Sequence, residues 1–245
     1  ATEPVPKPPV DLTWYDRAAP RPGYPCLPDS SYGTFPGTDS NSMRDNSLPP
    51  VELFPTGTSS SYKCTTPAGS ITWDSSLHTL TISGVVFVDG SLLEKKTENS
   101  FSVLYSGRGT IYFNGFIDLE GNNLHLCPIS ATSDCIASKW ETGTDLLLLV
   151  ALNNGAPPPQ DPADAFYTFK FGGTGAIFQG AAYAIGGFET LNGGRIEGPV
   201  IADGLIFKNT SSYSFTSLGD NGIPSGAPVT NNAWLPKAGS WRQVR

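Results

Sequence analysis

The chain has 245 residues, with 27 Gly and 22 Pro against 1 Met and 2 His, so one position in five bends or punctuates the backbone. That composition excludes a helical protein, while 38% hydrophobic and 15% charged residues exclude ordinary disorder and leave one sizeable β-rich domain. Fifteen basic against 22 acidic residues give a net charge of −7 without a run of Lys or Arg, which excludes a nucleic-acid partner.

Twelve of the prolines fall in the first 55 residues, beginning with Pro4, Pro6, Pro8 and Pro9. Each fixes φ and biases its predecessor away from helix, so the stretch is extended. Trp14, Tyr15, Tyr24, Tyr32, Phe35, Leu53 and Phe54 recur along it, as in a strip that packs against something. Residues 1–68 therefore read as a Pro-rich arm laid over a main domain at 69–245. No apolar export segment precedes Ala1, as expected of a mature product or of a piece cut after one.

From residue 69 the texture changes to short apolar alternations bounded by Gly, Asn, Asp and Ser, which predicts strands and turns. A heptad of the form Gly-x-apolar-apolar-apolar-x-Gly, with minor exceptions, occurs at Gly84–Gly90, Gly109–Gly115, Gly180–Gly186 and Gly198–Gly204. Gly69–Ser75 resembles a fifth copy that lacks only the last Gly. The third and fifth positions are apolar in all of them: Ile71 and Trp73, Val86 and Val88, Ile111 and Phe113, Ala182 and Ala184, Val200 and Ala202. Two residues apart means one face of a strand, taken here as the inward face. The fourth position carries Phe87, Tyr112, Tyr183 and Ile201, an outward stripe open to three uses: cover by the arm, a subunit interface, or carbohydrate stacking.

Short strands are expected after the turns, at 116–119, 188–191 and 205–208. Successive copies start 15, 25, 71 and 18 residues apart, and the shorter intervals match one turn of a parallel β-helix. The bracketing glycines, Gly84, Gly90, Gly109, Gly115, Gly180, Gly186, Gly198 and Gly204, are then corner residues that supply positive φ or close approach between neighbouring coils. The interval of 71 predicts both a degenerate coil and an insertion. Its buried strand is Leu146–Leu152, the longest apolar run at seven residues against the ~20 that cross a bilayer as a helix. Any membrane attachment would thus need a segment outside this sequence. The fold expected is an all-β parallel solenoid with an extended arm; the alternative is an antiparallel β-sandwich with Gly at its turns.

Cys26, Cys64, Cys127 and Cys135 show no Cys-x-x-Cys spacing and have almost no His beside them, so disulfides are favoured over zinc. Three connectivities are open; proximity favours Cys127 with Cys135, stapling an insertion near 127–144, and Cys26 with Cys64. Pairing implies an exported, extracellular protein.

Chemistry is sparse. His78 and His125 read as ordinary strand residues, and no nucleophile elbow is present. Asp74, Asp89, Asp118, Glu120, Glu189, Glu197 and Asp203 are the carboxylates that a polysaccharide-cleaving β-helix could use, since glycoside hydrolysis needs two at a set separation. The repeated Asp before Gly is better explained as a turn preference. Asp39–Ser42 and Gly121–Asn123 lack the spacing of a calcium loop, so neither metal nor cofactor is expected. Asn209-Thr210-Ser211 is a glycosylation sequon, meaningful only in a eukaryotic source.

The order of segments Asp11–Tyr15, Tyr62–Cys64, Ile71–Asp74, Leu80–Gly84, Val86–Gly90, Thr110–Gly115, Leu147–Leu152, Phe178–Tyr183, Val200–Asp203 and Ser240–Arg242 resembles the exported β-helix ectodomains of bacterial, often actinobacterial, type IV pilin-like surface proteins. The likeness spans nearly the whole chain, and its motifs are structural. It implies a non-enzymatic structural or adhesive module of a surface appendage, partnered by other appendage subunits or by a surface or glycan ligand. The competing expectation is a polysaccharide-binding or polysaccharide-cleaving β-helix.

Overall fold

A computed structural model describes residues 27–28, 52–56, 61–66, 69–88, 91–96, 100–113, 115–152, 167–216 and 218. In chain order the strands are β1 (Leu27–Pro28), β2 (Tyr62–Thr66), β3 (Gly69–Asp74), β4 (Thr79–Val88), β5 (Leu92–Lys96), β6 (Phe101–Ser106), β7 (Arg108–Phe113), β8 (Ile117–Gly121) and β9 (Leu124–Pro128). After two 3₁₀ turns at Ile129–Ala131 and Ala137–Lys139 come β10 (Leu146–Ala151), β11 (Tyr167–Gly172), β12 (Ile177–Gln179), β13 (Ala181–Ala184) and β14 (Gly187–Leu191). The last are β15 (Arg195–Glu197), β16 (Val200–Ile201), β17 (Gly204–Phe207) and β18 (Ser212–Ser214).

Every third strand pairs in parallel, which wraps the chain into a three-faced parallel β-helix. Face 1 stacks the second half of β4 with β7, β10, β13 and β16. Face 2 stacks β5, β8, β11, β14 and β17. Face 3 stacks the first half of β4 with β6, β9, β12, β15 and β18. The parallel register excludes the sandwich, and the strands expected after the heptads are β8, β14 and β17 of face 2.

All four complete heptads lie on face 1, where alternation decides which side chains fill the coil. Val86, Ile111, Leu149, Ala182 and Val200 stack in one inward column, and Val88, Phe113, Ala151 and Ala184 in the next. Face 2 sends in Leu92, Ile117, Phe169, Phe188 and Leu205. Face 3 sends in Val103, Leu126, Phe178, Ile196 and Tyr213. These columns meet as one continuous core. The coil without a heptad is the third: β10 is wholly buried and puts Leu147 opposite Gly109. An excursion at 129–145 precedes this strand, and residues 153–166, outside the described set, follow it.

The fifth copy is not a coil. β3 runs antiparallel to β4, with Gly69 opposite Gly84, and β2 runs antiparallel to β3. A buried alternating strand reads alike in either direction, so the heptad could not tell a stacked coil from a hairpin that ends the stack. This hairpin belongs to the N-terminal end, where residues 52–56 dock as a plug. Leu53 and Phe54 are fully buried. The Glu94 carboxylate accepts the backbone N–H of Leu53 and, at 2.7 Å, that of Phe54. Lys96 Nζ donates to the Phe54 carbonyl at 2.7 Å and pairs with Glu94 at 3.0 Å. Tyr62 Oη donates to Leu53 O at 2.7 Å and Trp73 Nε1 to Pro55 O at 3.0 Å. Burial pushes the Glu94 carboxyl up, against the opposing pull of Lys96.

The glycines differ within the repeat. Gly84 has φ 66° and Gly198 φ 133°. A Cβ on Gly198 would sit 2.1 Å from the Gly180 carbonyl oxygen, and one on Gly180 would sit 2.4 Å from the Phe178 ring and 2.9 Å from Leu147 O. A Cβ on Gly109 would meet Ile82 at 2.3 Å. The leading glycine of each heptad therefore lets one coil lie on the last. A Cβ on Gly204, in contrast, would meet nothing within 4 Å, so the corner expected at that trailing glycine is not one that needs Gly. Gly186 is not at positive φ, and Gly90 lies outside the described residues. Gly198→Ala should cost roughly 3 kcal/mol through combined clash and strain, lowering Tm by roughly 6–12 °C, whereas Gly204→Ala should stay within about 1 °C. Thermal unfolding of the two variants side by side checks this.

Candidate functional site

The outer side of face 1 carries the second apolar layer of the molecule. Phe87, Tyr112, Val150, Tyr183 and Ile201 form one outward column, each in register with the next. The predicted stripe thus exists, yet Tyr112 and Tyr183 are buried and Phe87 and Ile201 half-buried. Phe87 stacks on Tyr112 at 6.5 Å between centroids. Ala131 and Trp140 of the excursion and Leu218 beyond β18 join the same cluster. An open carbohydrate-stacking platform is excluded for Tyr112 and Tyr183, because their rings are already covered. Residues 1–26 and 29–51, most of the arm expected to cover the stripe, lie outside the described set.

The excursion that contributes this cover is held from several sides. Cys127 at the end of β9 is disulfide-bonded to Cys135. Gln179 Nε2 on β12 donates to Cys135 O at 2.9 Å and to Glu197 at 2.8 Å, and Glu197 pairs with Arg195 at 2.8 Å. His125 Nδ1 lies 2.8 Å from Ser133 O. Trp140 Nε1 donates to Asp145 O at 2.9 Å, and the Asp145 carboxylate accepts the Gly107 N–H at 2.9 Å. The Arg108 guanidinium donates to Thr142 O. The 17 residues 129–145 therefore form a fastened platform on the corner between faces 3 and 1. Cys64, on β2, is also disulfide-bonded; Cys26 lies outside the described residues, two positions before Pro28, which pairs with Cys64 across β1 and β2.

The carboxylates singled out by sequence scatter. Asp74 ends the β3 strand and accepts from Ser76 N, Ser76 Oγ and Leu77 N at 2.9, 2.7 and 3.1 Å; those hydrogen bonds hold its pKa below the ordinary carboxylate range. It is turn chemistry. Glu197 is committed under the excursion, Asp203 sits near Tyr183, and Asp89 is outside the described residues. Only Asp118, Glu120 and Glu189 come together, on the outer side of face 2. Asp118, Lys170 and Glu189 share one cross-strand row, with Lys170 pairing to Glu120 and Lys208 to Glu189 at 3.0 Å. Burial works against the Lys170 charge, but Glu120 and Asp118 outweigh it and raise its pKa. Two strand spacings put the Asp118 and Glu189 backbones about 9–10 Å apart.

Both histidines are engaged in structural contacts. His78 is not in a strand: it occupies the β3–β4 turn at φ 48°, stacked on Trp73 at 6.0 Å and against Phe101 at 4.7 Å. Among the described residues no group of three or more His, Cys, Asp or Glu could hold a metal, and no helix is long and apolar enough to cross a membrane. Sequence reasoning missed the Glu94–Lys96 clamp and the ladder of left-handed corners between faces 2 and 3: Asn123, Gly175, Asn192 and Asn209, where Asn209 Nδ2 donates to Asn192 Oδ1 at 3.0 Å. Asn and Gly tolerate that conformation, and the 17-residue spacing of Gly175, Asn192 and Asn209 was the available signal. Comparison with family models, with curated proteins and with solved structures finds no match to this chain.

Two measurements probe this face. Burial, with Asp203 nearby, pushes the Tyr183 phenol up to about 12. A raised folded-state pKa means that the contribution to stability is complete below the unfolded value near 10 and is lost as pH rises through about 12. Alkaline unfolding followed by circular dichroism should therefore be less steep between pH 10 and 12 in Tyr183→Phe. Replacing Cys127 and Cys135 by Ser should cost roughly 2–3 kcal/mol and free the excursion first, so proteolysis within 129–145 should accelerate before the coil unfolds.

Proposed function

We propose that the protein is a non-enzymatic, extracellular display module, a structural or adhesive part of a bacterial surface appendage in the manner of minor pilins. The observation that carries this reading is the fastened excursion: a stiff coil, plugged at its N-terminal end, holds residues 129–145 at one corner by a disulfide, buried side-chain hydrogen bonds and Trp140. Disulfide bonding supports an oxidising, exported setting. His78 and Asp74 hold a turn, Glu94 the plug, and His125 and Glu197 the excursion, which supports a role in shape rather than catalysis. Partners would be other appendage subunits or a surface or glycan ligand that meets the excursion; a nucleic-acid partner finds no basic surface run.

A second reading rests on the face 2 row. Asp118 and Glu189 flank Lys170 in one cross-strand row, a pair of carboxylates on one face of the kind a polysaccharide-cleaving or polysaccharide-binding β-helix would use. Their burial at 1% and 2% exposure weighs against it, because a sugar must reach both carboxylates. A glycan array joined to a reducing-end assay over plant and bacterial polysaccharides should detect no sugar release. Release that disappears in Asp118→Asn or Glu189→Gln would overturn the display reading.

A further inference from the structure

The two ends of the coil differ in what they leave open. At the N-terminal end, antiparallel β3 covers the first half of β4, and the Leu53–Phe54 plug closes the interior, fixed by Glu94 and Lys96. At the C-terminal end, β16, β17 and β18 each pair on one side alone among the described residues. Phe207 holds an inward position of β17, in register with Thr190, yet is 43% exposed. Its ring lies 6.2 Å from that of Tyr213, the inward residue of β18, and inward Leu205 and Ala202 are only partly buried. Three strand edges around an uncovered apolar centre form a pairing surface.

We propose that this surface takes a second copy of the chain, the two molecules joining C-terminal end to C-terminal end across a two-fold axis through β17. A partner that extends the coil must present three strand edges in the same triangle, and a second copy does. Its N-terminal end is closed by β3 and the plug, which bars head-to-tail stacking and leaves the two C-terminal ends to face each other. Rotation about the axis reverses the direction of winding, so the strands meet antiparallel, β17 with its own copy and β16 with β18. Inward residues stay inward only in registers that oppose residues of like parity. The register centred on Ile206 sets Leu205 opposite the partner's Phe207 and closes the apolar centre. It also sets Lys208 opposite the partner's Gly204, where a Cβ would meet nothing within 4 Å, so the Lys208 ammonium has room beside the partner's Asp203. The axis makes that opposite-charge contact twice. Strands of two to four residues make a small interface, for which a Kd on the order of 10–100 μM is expected.

The test is sedimentation velocity of the full chain over roughly 5–500 μM, a range that brackets that Kd. The wild type should pass from monomer to dimer and stop there. Ile206 is 37% exposed on the outer side of β17, so Ile206→Lys leaves the coil intact while opposing like charges across the axis. It should raise Kd by about tenfold or more, with the circular dichroism and Tm of the dilute protein unchanged. Ile206→Cys, facing its own copy on the axis, should oxidise to a disulfide-linked dimer, whereas Leu77→Cys, 70% exposed in the β3–β4 turn at the other end, should not. A monomer throughout the range, assembly beyond the dimer, a dimer indifferent to Ile206→Lys, or equal crosslinking of the two cysteine variants would overturn the proposal. So would amide exchange in 204–207 that is equally slow at both ends of the range, since the chain would then cover its own end.

Discussion

Everything in this fold depends on the distance between successive coils. Parallel strands stack about 4.8 Å apart, so each corner where the chain turns from one face to the next must fit between identical corners above and below. At the start of face 1 that constraint is met by removing side chains: Gly84, Gly109, Gly180 and Gly198 are where a Cβ would strike the neighbouring coil or demand a backbone that other residues avoid. Once the corner closes, alternation along the strand does the rest, sending the third and fifth positions inward to columns that run the length of the coil. The core is thus a consequence of corner geometry rather than of a particular set of large residues. That is why Val, Ile, Leu and Ala interchange along a single column.

The third coil shows how far the constraint can relax. Leu147 replaces the glycine there, and that coil alone receives both the excursion at 129–145 and the segment 153–166. The Leu147 side chain points into the core, and the platform is built from the chain that arrives just before it. The same place supplies the outer apolar layer, since Trp140 lies against the corner at Gly198 and beside the Tyr112–Tyr183 column. Departure from the repeat and candidate function therefore coincide, as expected where local consistency gives way.

Much of this was legible in the sequence, for physical reasons that also explain the misses. The face 1 strands announce themselves because glycine at a fixed corner and apolar residues two apart are both required, and the inward assignment of Val86, Ile111 and Ala182 follows from the period. Direction does not, so Gly69–Asp74 passed for a coil although it is an antiparallel strand. The outward ring column was visible as Phe87, Tyr112 and Tyr183, but its burial was not, because the residues covering it are distant in sequence. The Glu94–Lys96 clamp was invisible for the opposite reason. Charged residues in a strand read as solvent-facing, and only the end of a coil makes an inward charge tolerable, by giving it backbone N–H and C=O groups to bind.

That clamp bears on how the molecule stays a single coil. A β-helix has no closed edge, and an unfinished end invites pairing with any other strand. Here the N-terminal end is finished three times over: antiparallel β2 and β3 reverse the hydrogen-bonding direction, the Leu53–Phe54 plug covers the core, and a buried ion pair fixes the plug by its main chain. Hydrophobic cover alone would seal the core but not specify a position, since Leu and Phe would pack equally well shifted by a residue. The Glu94 and Lys96 contacts to the backbone of Leu53 and Phe54 remove that freedom, because a shifted plug would strip the buried ion pair of its main-chain hydrogen bonds. Polar groups at this end thus choose one arrangement among several that apolar packing would allow, and the coil begins in a single register that its glycine corners then carry forward.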